Sequence, residues 1–204
     1  RVTFKSIFTQ AKIMNDTTIK LPENYKSIQK ASEKISFSMP SDLQTGSLLR
    51  TLIASKPHGR FLELGTGTGL SLSWIAESMD NESIVISIDN SEEYSSVARE
   101  FFKTDPRVEI LCTDANKWLK DNPDQKFDLI FADAWPGKYS ALNEALDMVK
   151  TGGFYIIDDM LPQPNWPETH GENVERLINY LETRKDLRFT KMNWSTGIII
   201  VTKI

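Results

Sequence analysis

Glu63-Leu64-Gly65-Thr66-Gly67-Thr68-Gly69 closes an apolar run that begins at Phe61 and opens an amphipathic stretch. Twenty residues beyond Gly69, Ile86-Ser87-Ile88 ends in the acid Asp89. A strand, a glycine turn, a helix, a second strand and a terminal carboxylate are the parts by which a parallel α/β sheet holds an adenosine-containing cofactor. The glycines have a physical purpose. A cofactor at the carboxyl end of a strand lies close to the backbone, where a Cβ would obstruct it, and tight turns often need positive φ.

The pattern continues outward. Apolar runs at 61–64, 84–88, 108–112, 127–132 and 153–157 are short and rich in Ile, Val, Leu and Phe, as strands buried on both faces are. Helical patterns alternate with them. Leu72, Ile75, Ala76 and Met79 share one face, Tyr94, Val97, Ala98, Phe101 and Phe102 another, and Leu142, Ala145, Leu146 and Val149 a third. Near the end, Leu187–Trp194 and Ile198–Thr202 flank a Ser195-Thr196-Gly197 turn too short for anything but an antiparallel pair. The expected fold is α/β: a Rossmann-like, doubly wound, mainly parallel seven-stranded sheet with helices on both faces, ending in an antiparallel hairpin. Residues 1–38 read as an N-terminal helical extension, with a helix from about Pro22 to Lys34, and 39–204 as the cofactor-binding domain. Ser41-Asp42-Leu43-Gln44 and Thr169-His170-Gly171-Glu172 have the form of capping boxes.

Composition narrows the function. The chain has 204 residues, 40% hydrophobic and 25% charged, enough for one full core. A net charge of −4 gives no global attraction to nucleic acid or to an anionic membrane, and no apolar run approaches the roughly 20 residues of a membrane span. The single cysteine, Cys112, falls in a strand pattern and reads as a buried thiol, which suits a reducing cytoplasm.

The acids select among cofactors. A dinucleotide fingerprint runs Gly-x-Gly-x-x-Gly, whereas here the spacing is Gly-x-Gly-x-Gly and position 70 is leucine. Glu63, just before the turn, would repel a pyrophosphate but suits an ammonium or sulfonium. This combination resembles motif I of the S-adenosylmethionine-dependent methyltransferases. Leu70 and Glu63 both argue against a nicotinamide-dependent oxidoreductase. Asp89 is expected to accept hydrogen bonds from the ribose hydroxyls, since Asn90 or Ser91 can cap the next helix.

The likeness extends over residues 39–204. Cys112-Thr113-Asp114-Ala115, Phe127 through Asp133-Ala134-Trp135, and Gly152 through Asp158-Asp159 follow in the order and spacing of the small-molecule O-methyltransferases that include the catechol and caffeoyl-coenzyme A enzymes. The resemblance implies that Glu63, Gly65 and Ser71 lie near the methionine part of S-adenosylmethionine. It places Asp89 at the ribose and Asp114, Ala115 and Trp135 around the adenine, with Thr66, Gly67, Asn90 and Asp133 also in the cofactor-binding set. It also implies a divalent ion, Mg²⁺, held by an aspartate after the fourth strand and an Asp-Asn pair after the fifth, with a lysine three residues after the first aspartate as base. Asp133 matches the first ligand. Asp158 and Asp159 stand at the pair without its asparagine, Pro136 occupies the lysine position, and Lys138 follows two residues later.

Two readings therefore stand. In one, Asp133, Asp158 and Asp159 bind Mg²⁺ and orient a hydroxyl. In the other, no metal binds and Lys138 or His170 acts as base, with Asp159 as orienter. The Met160–Gly171 loop, with Pro162, Pro164, Asn165, Trp166 and Pro167, could cover an apolar acceptor, and the N-terminal segment could form the other wall or a homodimer contact. The expected function is methyl transfer from S-adenosylmethionine to a small-molecule acceptor, at a hydroxyl oxygen. Transfer to nitrogen and cofactor binding without turnover are the alternatives. No nucleic-acid or membrane partner is expected.

Overall fold

A computed structural model describes residues 15–163, 166 and 169–204. Residues 1–14 of the extension, and Pro164, Asn165 and Pro167 of the loop expected to cover an acceptor, lie outside the described residues. Among the described residues two helices, α1 (Tyr25–Lys34) and α2 (Leu43–Ala54), come first. Then β1 (Arg60–Leu64), α3 (Leu70–Ser78), β2 (Ile84–Asp89), α4 (Glu92–Phe102), β3 (Val108–Cys112), α5 (Ala115–Asp121) and β4 (Phe127–Ala132) alternate. The chain finishes with α6 (Leu142–Asp147), β5 (Val149–Ile157), α7 (His170–Thr183), β6 (Leu187–Met192) and β7 (Ile198–Lys203).

The strands form a seven-stranded sheet in the order β3-β2-β1-β4-β5-β7-β6. The first five are parallel, and β7 runs antiparallel to both β5 and β6. Strand order reverses between β1 and β4, and such a switch point opens a crevice at the carboxyl ends of the strands. This is the expected doubly wound sheet, with its closing hairpin inserted so that β7 lies inside and β6 at the edge.

Alternation of side chains along the strands builds two cores. Leu62, Leu64, Ile130 and Ile157 pack on one face with Leu119 of α5, Leu146 of α6 and Leu177 of α7. Phe61, Val85, Phe131 and Ile156 pack on the other with Ile28 of α1, Leu49 of α2 and Trp74 of α3. Helix α3 is buried all round from Leu70 to Ala76, rather than on the single face its periodicity suggests, because α2 and α1 cover the side away from the sheet.

Several local readings change. Helix α1 starts at Tyr25, whose N–H reaches the Pro22 carbonyl at 3.1 Å, so Pro22 precedes the helix instead of opening it. The N-cap of α2 is Asp42, and Ser41 sends its hydroxyl 2.8 Å to Asp133 instead of closing a capping box. Thr169 does precede α7 but makes no side-chain cap. Ser91 caps α4 through the Tyr94 N–H, as expected. Strand β3 is an edge strand, and Cys112 at its end is exposed, not buried; apolar runs do not distinguish an edge from an interior position.

Helix α1 is built into the core, since Ile28 is fully buried among Tyr25, Trp74 and Phe102. Ile28→Ala should therefore cost about 2–5 kcal/mol of stability. A urea midpoint unchanged from that of the parent would show that α1 is dispensable.

Candidate active site

The first glycine of the turn has φ +106°, and a Cβ there would meet the Asp133 carbonyl at 2.7 Å. Gly65 N–H donates to Ile88 O at 2.9 Å and Asp133 N–H to Leu64 O at 2.9 Å. These bonds bring the ends of β1, β2 and β4 to one place. Gly69, at φ +93°, then turns the chain into α3.

Above this junction lies a cavity of about 580 Å³. Gly65, Thr66, Gly67, Ser71, Asp89, Asn90, Asp114, Ala115, Asp133 and Trp135 all line it. Asp89 accepts from the Gly67 N–H and the Ser91 N–H, both at 2.8 Å. Its carboxylate is thus fixed by two backbone donors, and lone pairs remain for ligand hydroxyls. Asp114 caps α5 by accepting from the Asn116 N–H at 2.8 Å, and its side chain too keeps acceptor capacity toward the cavity. Trp135 is 49% exposed and so is a cavity wall rather than a core aromatic.

Glu63 lies beneath the turn, fully buried on the Phe61 side of the sheet. Ser87 donates to its Oε2 at 2.5 Å, while Oε1 has no hydrogen-bond partner among the described residues. Burial raises its pKa to about 7, against the pull of the nearby Ser71 and Ser87 hydroxyls.

The second cluster sits at the ends of β4 and β5. Asp133 is pushed well above the ordinary carboxylate range, first by burial and then by Asp158. Its Oδ2 accepts from Ser41 at 2.8 Å. Asp158 is raised to about 6, chiefly by burial, with Thr196 opposing. Its Oδ1 accepts from the Asp159 N–H at 2.8 Å and from the Thr196 hydroxyl. Lys138 is buried between them, with Nζ 3.1 Å from the Asp158 carbonyl and 3.9 Å from Asp133 Oδ1. Asp159 stands at φ +59°, a strained position for a residue with a Cβ. Glu63, Lys138, Asp158 and Asp159 are not among the residues that line the cavity.

A third group is aromatic. Tyr139 Oη and His170 Nε2 are 2.9 Å apart, Trp166 stacks on the His170 ring at 4.0 Å, and Trp135 meets Tyr139 edge-on at 5.0 Å. His170 is lowered below its ordinary 6.5, mainly by burial and then by Lys138, with Asp159 pulling the other way. Burial and then Asp159 raise Tyr139.

Sequence reasoning placed the cofactor-side residues together. It missed Phe37, Met39, Pro40 and Tyr94, which line the cavity from outside the strand ends. It also missed Tyr139 as the partner of His170 and Thr196 as the partner of Asp158. Met39 is one of three large apolar side chains left exposed among the described residues, a signal only the folded chain displays.

Comparison with known proteins agrees with this geometry. A profile of the O-methyltransferase family matches residues 15–203. The chain is 29% identical to a probable caffeoyl-CoA O-methyltransferase 2 of Dictyostelium discoideum, over 78% of this chain and 74% of that protein. Among solved structures, it superposes on an O-methyltransferase from Bacillus cereus in complex with SAH with a TM-score of 0.80 at 19% identity, covering 93% of this chain and 94% of that one. The O-methyltransferase TomG from Streptomyces achromogenes, in complex with SAM, gives 0.77 at 20% identity and 92% coverage of both chains. At such identities the structures show the shared fold. With a family profile spanning nearly its whole length, the chain belongs to the O-methyltransferase family.

Proposed function

We propose that the protein transfers a methyl group from S-adenosylmethionine to a hydroxyl oxygen of a small, flat acceptor. The observation that carries this is the convergence of the glycine turn, Asp89, Asp114 and Trp135 on one cavity at the switch point. Asp89 takes the ribose hydroxyls, and Asp114, Ala115 and Trp135 surround the adenine, where the indole face can pack on the base. Gly65, Thr66, Gly67 and Ser71 approach the methionine part, with Glu63 below as the counter-charge. The domain that does this is residues 39–204, to which the extension adds α1 and Phe37.

The chemistry asks for alignment and a place for one proton. The acceptor oxygen attacks the methyl carbon, the carbon–sulfur bond breaks with its electron pair going to sulfur, and S-adenosylhomocysteine leaves. His170 receives the acceptor's proton, directly or through Tyr139, because its lowered pKa leaves it neutral near pH 7. Asp159 stabilises the imidazolium that forms. Asp133, on the cavity wall, accepts from the acceptor or the cofactor. A lone free cysteine and a net charge of −4 support a reducing, cytoplasmic setting and a small-molecule partner instead of a nucleic acid.

Three measurements test this. Asp89→Ala should weaken S-adenosylmethionine binding by roughly 10- to 100-fold in calorimetry, the loss of a charged hydrogen-bonding partner; unchanged affinity would sink the ribose assignment. Affinity should rise as pH increases through about 7, where Glu63 ionises and can face a cation. Binding at lower pH should release a proton, and Glu63→Gln should flatten this dependence. The rate should hold above the ordinary imidazole value of 6.5 and fall only at lower pH, as His170 becomes protonated. His170→Ala should lower kcat by roughly 10²-fold or more; a variant with full activity and the same acid limb would remove His170 from the mechanism.

A further inference from the structure

The carboxylate cluster behind the cavity already contains a cation. Lys138 is only 4% exposed, and its Nζ lies 3.1 Å from the Asp158 carbonyl and 3.9 Å from Asp133 Oδ1. The turn that carries it inward is tightly built. Gly137 has φ +85°, a Cβ there would meet Leu64 at 2.5 Å, and the Tyr155 hydroxyl donates to the Gly137 carbonyl at 2.5 Å. The lysine is thereby locked below the cavity wall instead of reaching into the cavity.

One carboxylate oxygen of each buried aspartate already has a donor. Asp133 Oδ2 takes the Ser41 hydroxyl, and Asp158 Oδ1 takes both the Asp159 N–H and Thr196. Among the described residues no three His, Cys, Asp or Glu side chains are placed to hold a metal ion. A hard divalent ion wants close, near-octahedral oxygen ligands at about 2.0–2.1 Å. Here it would have to sit beside a buried ammonium of like charge, 3.9 Å from Asp133 Oδ1. The residues present do not fit the ion that the family resemblance implies.

We propose that Lys138 is a built-in cation that excludes a divalent ion from the Asp133–Asp158 cluster, and that this chain works without metal. Lys138 is then a positioning residue: it holds the Asp133 carboxylate at the cavity wall through charge and makes no contact with the acceptor. The inference rests on the reading of the cavity as a methyl-transfer site only for its statement about turnover. Its statement about the cluster stands independently.

The test is a Mn²⁺ titration of the full chain, followed by electron paramagnetic resonance, with and without S-adenosylhomocysteine. The parent protein should bind no stoichiometric Mn²⁺. Lys138→Ala, which vacates the cation among the carboxylates, should gain a site at least tenfold tighter than any in the parent. Lys138→Arg, which keeps the charge, should not. One Mn²⁺ bound per parent chain and lost in Asp133→Asn would overturn the proposal, as would a folded Lys138→Ala that gains nothing. If circular dichroism shows that Lys138→Ala fails to fold, the parent titration decides by itself. Where an acceptor is turned over, S-adenosylhomocysteine release should be unchanged in excess chelator, and its loss there would overturn the proposal. Absence of turnover with every acceptor would count against the proposed function and leave the Mn²⁺ result to judge the cluster.

Discussion

The molecule is organised around a close approach of two backbones. Gly65 passes so near Asp133 that a single added carbon would sit 2.7 Å from its carbonyl. Hydrogen bonds to Ile88 and Leu64 hold that approach from both sides. Because the ends of three parallel strands meet there, every loop that leaves them starts from a fixed point. Asp89 is the last residue of its strand, Asp133 the first past one and Asp114 the second past one, so their positions follow closely from the sheet. A cofactor site built in this way is rigid before any ligand arrives, which limits the ordering cost of binding.

Around the junction the protein buries more acid than is comfortable. Glu63 and Asp158 are almost wholly out of water, and Asp133 is nearly so. Desolvation disfavours the charged form of each. The fold answers with one hydroxyl per acid: Ser87 for Glu63, Ser41 for Asp133 and Thr196 for Asp158. One lysine adds its charge beside Asp133 and donates to the backbone carbonyl of Asp158. The remaining excess of negative charge is well suited to a cofactor that brings a positive sulfur. A dinucleotide, with its pyrophosphate, would meet repulsion at the same place.

The cavity and the aromatic cluster beside it differ in construction. The cavity floor is made of backbone and strand termini. The neighbouring cluster is made of aromatic side chains from separate elements: Trp135 and Tyr139 after β4, Trp166 before α7 and His170 at its start. The tyrosine–histidine hydrogen bond joins the two segments, and Asp159 acts on both partners through its field. Side-chain walls of this kind can change shape and specificity without disturbing the strands beneath.

The amino-acid sequence alone determined the sheet, the glycine turn and the acids at the strand ends. These depend on local properties: apolar runs of strand length, helical periodicity, and glycine where a Cβ cannot fit. It was misleading at places where a residue's partner lies far along the chain. Ser41 has the form of a helix cap, yet its hydroxyl serves Asp133, 92 residues away. Cys112 reads as buried, yet the strand that carries it is at the sheet edge. Lys138 looked like a displaced base, and only the packing of Gly137 against Leu64 and Tyr155 turns it inward to the carboxylates. Local pattern decides which element forms, whereas the partner of a buried charge is decided by which elements the tertiary structure brings together.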